Sequence, residues 1–404
     1  MKVFYISHDG ITDHIGKSQV APYLVGLAKN GHDITILSNE KDGHSKDIQE
    51  YKSLFTESSI KWFINPYSNR IPIISPLLTS FRQYLKARKI CFTERFDLIH
   101  TRCYVSTILG YSLKKSLSGT KFLFDLRDFW IDTRIETRKL GFLYRPLKSI
   151  EPSLFRDADY FVCLTEKAKS EIVRMSARFD CKREPRVTVI PCCADMDLFK
   201  YDKENSEELK QIRQQEGLDE SFVLTYLGSL GAVYLLSDMV KTFKILKYLD
   251  SSSKFLFISN NGKDEVVKEF LKNNLNEKDL VFKKNLIRSD IPKYLEMADL
   301  SLVYIRPGNS KMGCSPTKLA ELLAMGIPVI ANKGVGDLNE ILCMEKNNSI
   351  CLDSFDENHI RENLLKITSQ SVDKEKIREF SIKNFALPEA IKRYEAVYKT
   401  LSNL

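Results

Sequence analysis

Apolar and polar positions alternate along this chain on two periods. Short, nearly continuous apolar runs are followed by longer stretches in which apolar residues recur every three or four positions. The first pattern suits a strand buried on both faces, the second an amphipathic helix. Strands are predicted at residues 3–7, 34–38, 61–64, 98–100, 122–126, 160–164 and 187–190. A second series is predicted at 222–227, 255–259, 280–282, 300–304, 328–331 and 349–352. After the first strand, Val20, Tyr23, Leu24, Leu27 and Ala28 form a helical stripe that ends at Asn30-Gly31. Such β-α-β alternation implies parallel sheets covered by helices. Between residues 200 and 220 the chain turns polar, which marks the predicted boundary between two α/β domains. The tail 388–401 carries Ile391, Tyr394, Val397, Tyr398 and Leu401 on one helical stripe. The chain shows neither internal repeat nor low-complexity tract.

Composition narrows the class. The 404 residues are 43% hydrophobic, enough for real cores and against disorder. No charge-free apolar run reaches the ~18 residues of a membrane span. The N-terminus enters Lys2-Val-Phe-Tyr-Ile-Ser7 directly, which reads as a strand and not as a signal peptide. The nine cysteines are scattered and none forms Cys-x-x-Cys. Reduced thiols in a cytoplasmic protein fit this usage, and zinc does not.

The net charge is +8, and it is unevenly spread. Residues 51–150 hold 18 basic and 7 acidic side chains, whereas residues 201–404 are nearly balanced, 29 against 30. The basic half suggests an anionic partner: a membrane surface, a phosphate-bearing acceptor or nucleic acid. Two segments there are amphipathic. In 77–90, Arg82, Lys86 and Lys89 share one face and Leu78, Phe81 and Leu85 another. In 134–148, basic residues interleave with Leu140, Phe142, Leu143, Tyr144 and Leu147. Each could lie on an anionic membrane or turn its apolar stripe to the domain core.

The densest chemical signal is Cys314-Ser-Pro-Thr-Lys-Leu-Ala-Glu-Leu-Leu-Ala-Met-Gly-Ile-Pro-Val-Ile-Ala331. Ser315 is the expected N-cap and Pro316 the first helical residue. Leu319, Leu322 and Leu323 form the buried stripe, with Lys318 and Glu321 on the opposite face. Gly326 is the helix stop. Upstream, Arg306-Pro-Gly-Asn-Ser-Lys311-Met-Gly313 is a polar loop with two cations. A glycine-bearing loop leading into free helix N–H groups suits a diphosphate, although a well-capped helix of any α/β protein would read similarly.

This segment resembles the donor-binding element of retaining GT-B glycosyltransferases of family 4. The resemblance spans the chain. Ile15-Gly16-Lys-Ser-Gln-Val20 is similar to that family's first glycine-bearing loop, and Leu27-Ala-Lys-Asn-Gly-His-Asp-Ile-Thr-Ile-Leu37 follows as it does there. Phe96-Asp-Leu-Ile-His-Thr101, Leu224-Thr-Tyr-Leu-Gly-Ser229 and Ile291-Pro-Lys-Tyr-Leu-Glu-Met-Ala-Asp-Leu300 also resemble family elements. The resemblance implies two facing Rossmann-like domains with parallel sheets and a cleft between them. Residues 1–200 would hold the acceptor and 201–385 the nucleotide-sugar, and a helix in 386–404 would cross back to the first domain. It implies that Glu321 contacts the ribose diol, which a carboxylate accepting two hydrogen bonds suits.

The chain departs from the family pattern in four places. Gly313 stands where a second glutamate is usual, so backbone N–H groups of 313–317 are expected near the donor sugar. Ser229 replaces an arginine after Gly228, and Ala232-Val-Tyr-Leu stands where a lysine is customary. Cys192-Cys193 replaces an asparagine-glycine pair. Cations for the diphosphate are therefore expected from Lys318, Lys311 and Arg306.

A second constellation, Phe124-Asp-Leu-Arg-Asp-Phe-Trp-Ile-Asp132, ends a predicted strand, where α/β sheets bind ligands. Asp125, Arg127 and Asp128 are the catalytic candidates; an internal salt bridge that pins the loop is the alternative. Asp157-Ala-Asp159 and Asp195-Met-Asp197 match Asp-x-Asp, but neither lies beside the donor loop, so no metal site is expected. His8, His14 and His100 lie near strand ends, without an assigned role. The resulting expectation is a glycosyltransferase. It would move a sugar from a nucleotide diphosphate donor, a UDP-sugar, to a hydroxyl of a glycan or lipid-linked saccharide. Retention, no cofactor, no metal and no nucleic-acid partner are expected, with peripheral placement on the inner face of the cell membrane. The alternatives are a nucleotide-sugar epimerase of the same architecture and a non-catalytic nucleotide-sugar-binding subunit. Gly16, Gly228, Ser229, Arg306, Lys311, Gly313, Ser315, Thr317, Lys318 and Glu321 form the expected donor site.

Overall fold

The computed structural model describes residues 1–67, 74–138, 140–201, 206–343 and 348–404. Residues 202–205 of the polar boundary stretch, and Lys139 of the second amphipathic segment, lie outside the described residues. The chain divides into two compact units, Met1–Pro191 with Leu387–Leu404, and Cys192–Ala386.

Among the described residues of the first unit, seven parallel strands form one sheet. They are β1 (Lys2–Ser7), β2 (Asp33–Lys41), β3 (Lys61–Tyr67), β4 (Leu98–Arg102), β5 (Lys121–Leu126), β6 (Tyr160–Cys163) and β7 (Val187–Val189). Their order is β3-β2-β1-β4-β5-β6-β7. The chain therefore reverses its direction of winding between β1 and β4, the crevice where such sheets bind ligands. Ser7 pairs in register with Arg102, and Arg102 with Asp125, so three polar residues line up at this end.

The second unit repeats the plan with β8 (Val223–Leu227), β9 (Lys254–Ile258), β10 (Leu280–Lys283), β11 (Leu300–Val303), β12 (Val329–Asn332) and β13 (Ile350–Leu352). Their order is β10-β9-β8-β11-β12-β13, all parallel, with the reversal between β8 and β11. All thirteen predicted strands occur, with no end shifted by more than three residues. Central strands such as β8 are buried at every position, because helices cover both faces.

One device recurs at the opposite end of both sheets. Asp97, Asp159 and Asp299 each directly precede a strand and accept a backbone N–H from the neighbouring one. The donors are Lys2 (2.7 Å), Phe122 (2.8 Å) and Val223 (2.8 Å). The carboxylate satisfies an N–H at the start of the strand that would otherwise be left unpaired. Asp159 of the Asp-x-Asp pair is thus a sheet-edge anchor, and it also meets Lys114.

The last helix, Leu387–Ser402, belongs to the first unit. Its residues Ala390, Tyr394, Val397, Tyr398 and Leu401 are buried there, beside the helix Ala21–Lys29. The helix Ile74–Thr93 is arranged differently from an ordinary surface helix. It buries Ser75, Thr79, Gln83, Ala87, Ile90 and Cys91, and leaves Leu77, Leu78, Phe81 and Leu85 exposed. The segment 134–148 is not one amphipathic helix. A helix Trp130–Thr137 ends there, and a 3-10 helix Gly141–Ile150 begins after a break.

Candidate functional site

In the second unit, β8 ends at Leu227 and the chain turns at Gly228, whose φ of +118° favours glycine. Beside it stands the helix Thr317–Ala324. This helix starts one residue later than predicted. Pro316, extended, occupies the cap position, and no side chain caps the helix. The Ser315 hydroxyl instead accepts the N–H of Cys192 at 3.2 Å. The first N–H groups of the helix are therefore left for a ligand or water.

Lys318 does not share a solvated face with Glu321. It is 9% exposed, its Nζ donates to the Tyr226 hydroxyl at 3.1 Å, and it lies 4.2 and 4.3 Å from the ring centroids of Tyr226 and Tyr234. A methyl group on Gly228 would come within 2.8 Å of that Nζ, so the glycine makes room for the ammonium as well as for the turn. Burial lowers its pKa to about 7, and Glu321 and Cys314 oppose the shift. A lysine ammonium carries three donors, and one hydrogen bond is met among the described residues.

Glu321 is likewise buried, at 6% exposure. Its Oε1 accepts from Nη2 of Arg288 at 2.7 Å, and Oε2 has no hydrogen-bond partner among the described residues. Burial raises the carboxyl pKa; Arg288 chiefly, and Lys318 behind it, pull it back down. The Arg288 guanidinium also lies 5.1 Å from the Phe199 ring. Sequence reasoning missed Arg288, Tyr226 and Tyr234 as parts of this site. Arg288 lies 33 residues before Glu321, on a 3-10 turn after β10, with no local pattern to mark it.

The loop before the helix is more ordered than a flexible polar stretch. Residues Asn309–Gly313 form a 3-10 turn, in which Gly313 is buried and the Lys311 carbonyl accepts from Cys314 and Gly336. Arg306 is exposed, Lys311 and Thr317 are half-buried, and Ser229 is exposed, its carbonyl accepting from the Tyr226 hydroxyl. Gly228, Lys318 and Tyr226 are thus brought together directly, and Glu321 with Arg288.

In the first unit, Gly16 lies buried against the preceding loop. A methyl there would sit 2.1 Å from the Gly10 carbonyl oxygen, so its need is close packing. Glu40 anchors that loop, accepting from Ile11 N (2.7 Å), Thr12 N (3.1 Å), Thr12 Oγ1 (2.6 Å) and Ser38 Oγ (2.6 Å). Asp125 is 1% exposed at the centre of a charge network. Tyr394 donates to Oδ2 at 2.8 Å and Arg127 to Oδ1 at 3.3 Å; His100 Nε2 lies at 3.6 Å and Arg102 at 3.8 Å. These cations hold its carboxyl well below the usual range despite burial. Asp125 is thus enclosed in an internal ion-pair network, the alternative to a catalytic contact. Arg127 is buried beside it, and Asp128 follows half-buried. His100 is part of the network, bonded to the Tyr398 hydroxyl at 2.7 Å, and burial lowers its pKa. Asp195 folds back on the N–H groups of Asp197 and Leu198. Among the described residues no cluster of histidine, cysteine, aspartate and glutamate suits a metal, and all nine cysteines are free.

Two family profiles account for most of the chain. The profile Glycosyltransferase Family 4 matches residues 23–198, and Glycosyl transferases group 1 matches 208–384. The chain belongs to the GT-B glycosyltransferases of family 4, group 1. No curated protein matches it in sequence. Solved structures share the fold of this glycosyltransferase along its whole length. Sucrose-phosphate synthase from Thermosynechococcus elongatus is 14% identical, with a TM-score of 0.74 over 100% of this chain and 99% of that one. Anabaena HepE in complex with UDP and glucose is 15% identical, with a TM-score of 0.68 over 100% of both. WaaG, a glycosyltransferase involved in lipopolysaccharide biosynthesis, is 16% identical, with a TM-score of 0.67 over 96% and 97%.

Proposed function

We propose that this glycosyltransferase transfers a sugar from a uridine diphosphate donor to a hydroxyl of a glycan or lipid-linked saccharide, with retention and without a metal ion. The observation that carries the reading is the buried, under-bonded Lys318 ammonium beneath the Gly228 turn, beside an uncapped helix N-terminus. A departing diphosphate needs positive charge as its bond to the sugar breaks. In this reading Lys318 and the N–H groups at the start of the helix supply it in place of a metal. Glu321 then accepts the ribose diol through Oε2. The UDP held by HepE supports a uridine base. Arg306 and Lys311 bracket the outer side of the diphosphate, and the buried turn at Gly313 presents backbone to the donor sugar in place of a carboxylate. In the first unit, Asp125 positions Arg127, and Arg127 and Asp128 approach the acceptor.

A thermal-shift and calorimetry panel of nucleoside diphosphates tests this reading. UDP is expected to bind, with stabilisation of about 2.7 kcal/mol at a hundredfold excess over Kd. Stabilisation by none of the nucleotides sinks it. Incubation with UDP-sugar alone separates the rivals, since an epimerase converts the donor without an acceptor. Turnover by the isolated chain with an acceptor excludes a purely binding subunit, and the anomeric configuration of the product by NMR decides retention.

In this reading the acceptor lies at an anionic membrane, and exposed apolar side chains in the basic region support it. Leu77 (66% exposed) and Phe81 (58%) stand outward on the helix Ile74–Thr93, and Leu140, Phe142 and Leu143 are also exposed, all within the most basic part of the chain. No helix among the described residues is long and apolar enough to cross a membrane; the proposed attachment is peripheral.

A further inference from the structure

Glu321 presents a physical difficulty for the role proposed above. A carboxyl buried this deeply tends to take up a proton, and a protonated carboxyl is a poorer acceptor for a vicinal diol. Two cationic groups face it. Lys318 shares its helix, but burial lowers the pKa of that ammonium, so its charge is itself unreliable above neutrality. Arg288 comes from the turn after β10 and makes the only side-chain hydrogen bond to Glu321 among the described residues. A guanidinium stays charged across the whole working range of pH.

Arg288 also has fixed geometry. Its planar head stands 5.1 Å from the Phe199 ring, and its Nη2 engages Oε1 alone at 2.7 Å. The bond therefore takes one oxygen of the carboxylate and leaves the other for a ligand. Ile287 beside it is 63% exposed, and the Arg288 side chain is itself 35% exposed.

We propose that Arg288 is a positioning residue for nucleotide recognition: it keeps Glu321 ionised and turns its free oxygen to the ribose. It does not itself touch the sugar ring or the phosphates. Discrimination between ribose and 2′-deoxyribose then depends on Arg288 through Glu321. This rests on the ribose reading of Glu321, and the test separates the two.

The test measures Kd by calorimetry for UDP and 2′-deoxy-UDP between about pH 5 and pH 8. The proteins are wild type, Arg288→Met, Arg288→Lys and Glu321→Gln. In wild type, UDP is expected to bind about tenfold more tightly than 2′-deoxy-UDP. Glu321→Gln should remove most of that preference at every pH. Arg288→Met should keep part of it at pH 8 and lose it as pH falls, with a midpoint higher than in wild type. Arg288→Lys should restore the profile in part. The Lys318 ammonium acts in the opposite sense, weakening binding as pH rises, so it cannot mimic this loss on acidification. If Arg288→Met keeps the wild-type preference and pH profile while Glu321→Gln loses it, the role of Arg288 is overturned and the ribose reading stands. If Glu321→Gln binds both nucleotides as wild type does, the ribose reading itself fails.

Discussion

Lys318 is held far from its ordinary state by its surroundings. Unfolded, its amine titrates near ~10.4; folded, it titrates at about 7 because burial penalises the charge. Between those values the unfolded chain binds the extra proton, so stability of the ligand-free protein rises with pH across the window. The slope contributed is at most about 1.4 kcal/mol per pH unit. A bound diphosphate favours the charged amine, so binding takes up a proton above pH 7 and weakens as pH rises. Scanning calorimetry of wild type against Lys318→Met, with and without UDP, checks both signs. A difference between the two proteins that does not change from pH 7 to pH 10 would refute the assignment. Gly228→Ala should disturb the same group, because the added methyl meets Nζ at 2.8 Å and φ is +118°. A loss of about 1–3 kcal/mol in stability is expected, with weaker UDP binding in the same titration. Lys318, Thr317 and Glu321 were legible in the sequence because one local motif carries them. Arg288 and Tyr226 were not, since they reach the site from other elements. Ser315 does not cap the helix as its position suggests, because its hydroxyl serves Cys192, 123 residues earlier in sequence.

Elements were legible where burial imposes a simple period. A strand covered on both faces, such as β8, must be apolar throughout, and all thirteen predicted runs became strands. Position 125 shows the limit. The sequence places Asp125 at a strand end, but its partners arrive from β4 and from the last helix, Leu387–Ser402. That helix contributes the Tyr394 hydroxyl to Asp125 and the Tyr398 hydroxyl to His100. Tyr394→Phe should therefore cost about 1–3 kcal/mol, the range for a buried acceptor that loses its donor. Asp125→Asn should cost more, about 3–5 kcal/mol, because Arg102 and Arg127 would face each other without a carboxylate. Urea unfolding of the two variants, followed by far-UV circular dichroism, gives the order. Equal midpoints for wild type and Asp125→Asn would show that the carboxylate does not hold the network together.

At the scale of the whole molecule, charge and exposed apolar surface coincide. Residues 51–150 hold 18 basic against 7 acidic side chains. Within them the helix Ile74–Thr93 inverts the usual arrangement near its start. Gln83 and Thr79 face inward, with Gln83 donating to the Ser7 carbonyl at 2.7 Å and accepting from Asn39 at 3.1 Å. A polar inner face met by polar strand ends frees the apolar side for solvent, so Leu77, Leu78, Phe81 and Leu85 stay outside. Of its cations, Lys86 turns in to the Ile64 carbonyl at 2.5 Å, while Arg82, Arg88 and Lys89 remain exposed. An anionic bilayer complements both features, with about 1 kcal/mol per basic residue near the surface added to apolar insertion. Sedimentation with vesicles of phosphatidylglycerol and phosphatidylcholine should show binding that weakens with salt and vanishes in pure phosphatidylcholine. Leu77→Ser with Phe81→Ser should weaken binding by about tenfold at any salt, since it removes insertion. Arg82→Gln with Lys89→Gln should lower the salt sensitivity instead, since it removes charge. UDP affinity, set in the other unit, should be unchanged in both. Binding that ignores salt and lipid charge alike would leave the basic half to the acceptor and remove the membrane from the account.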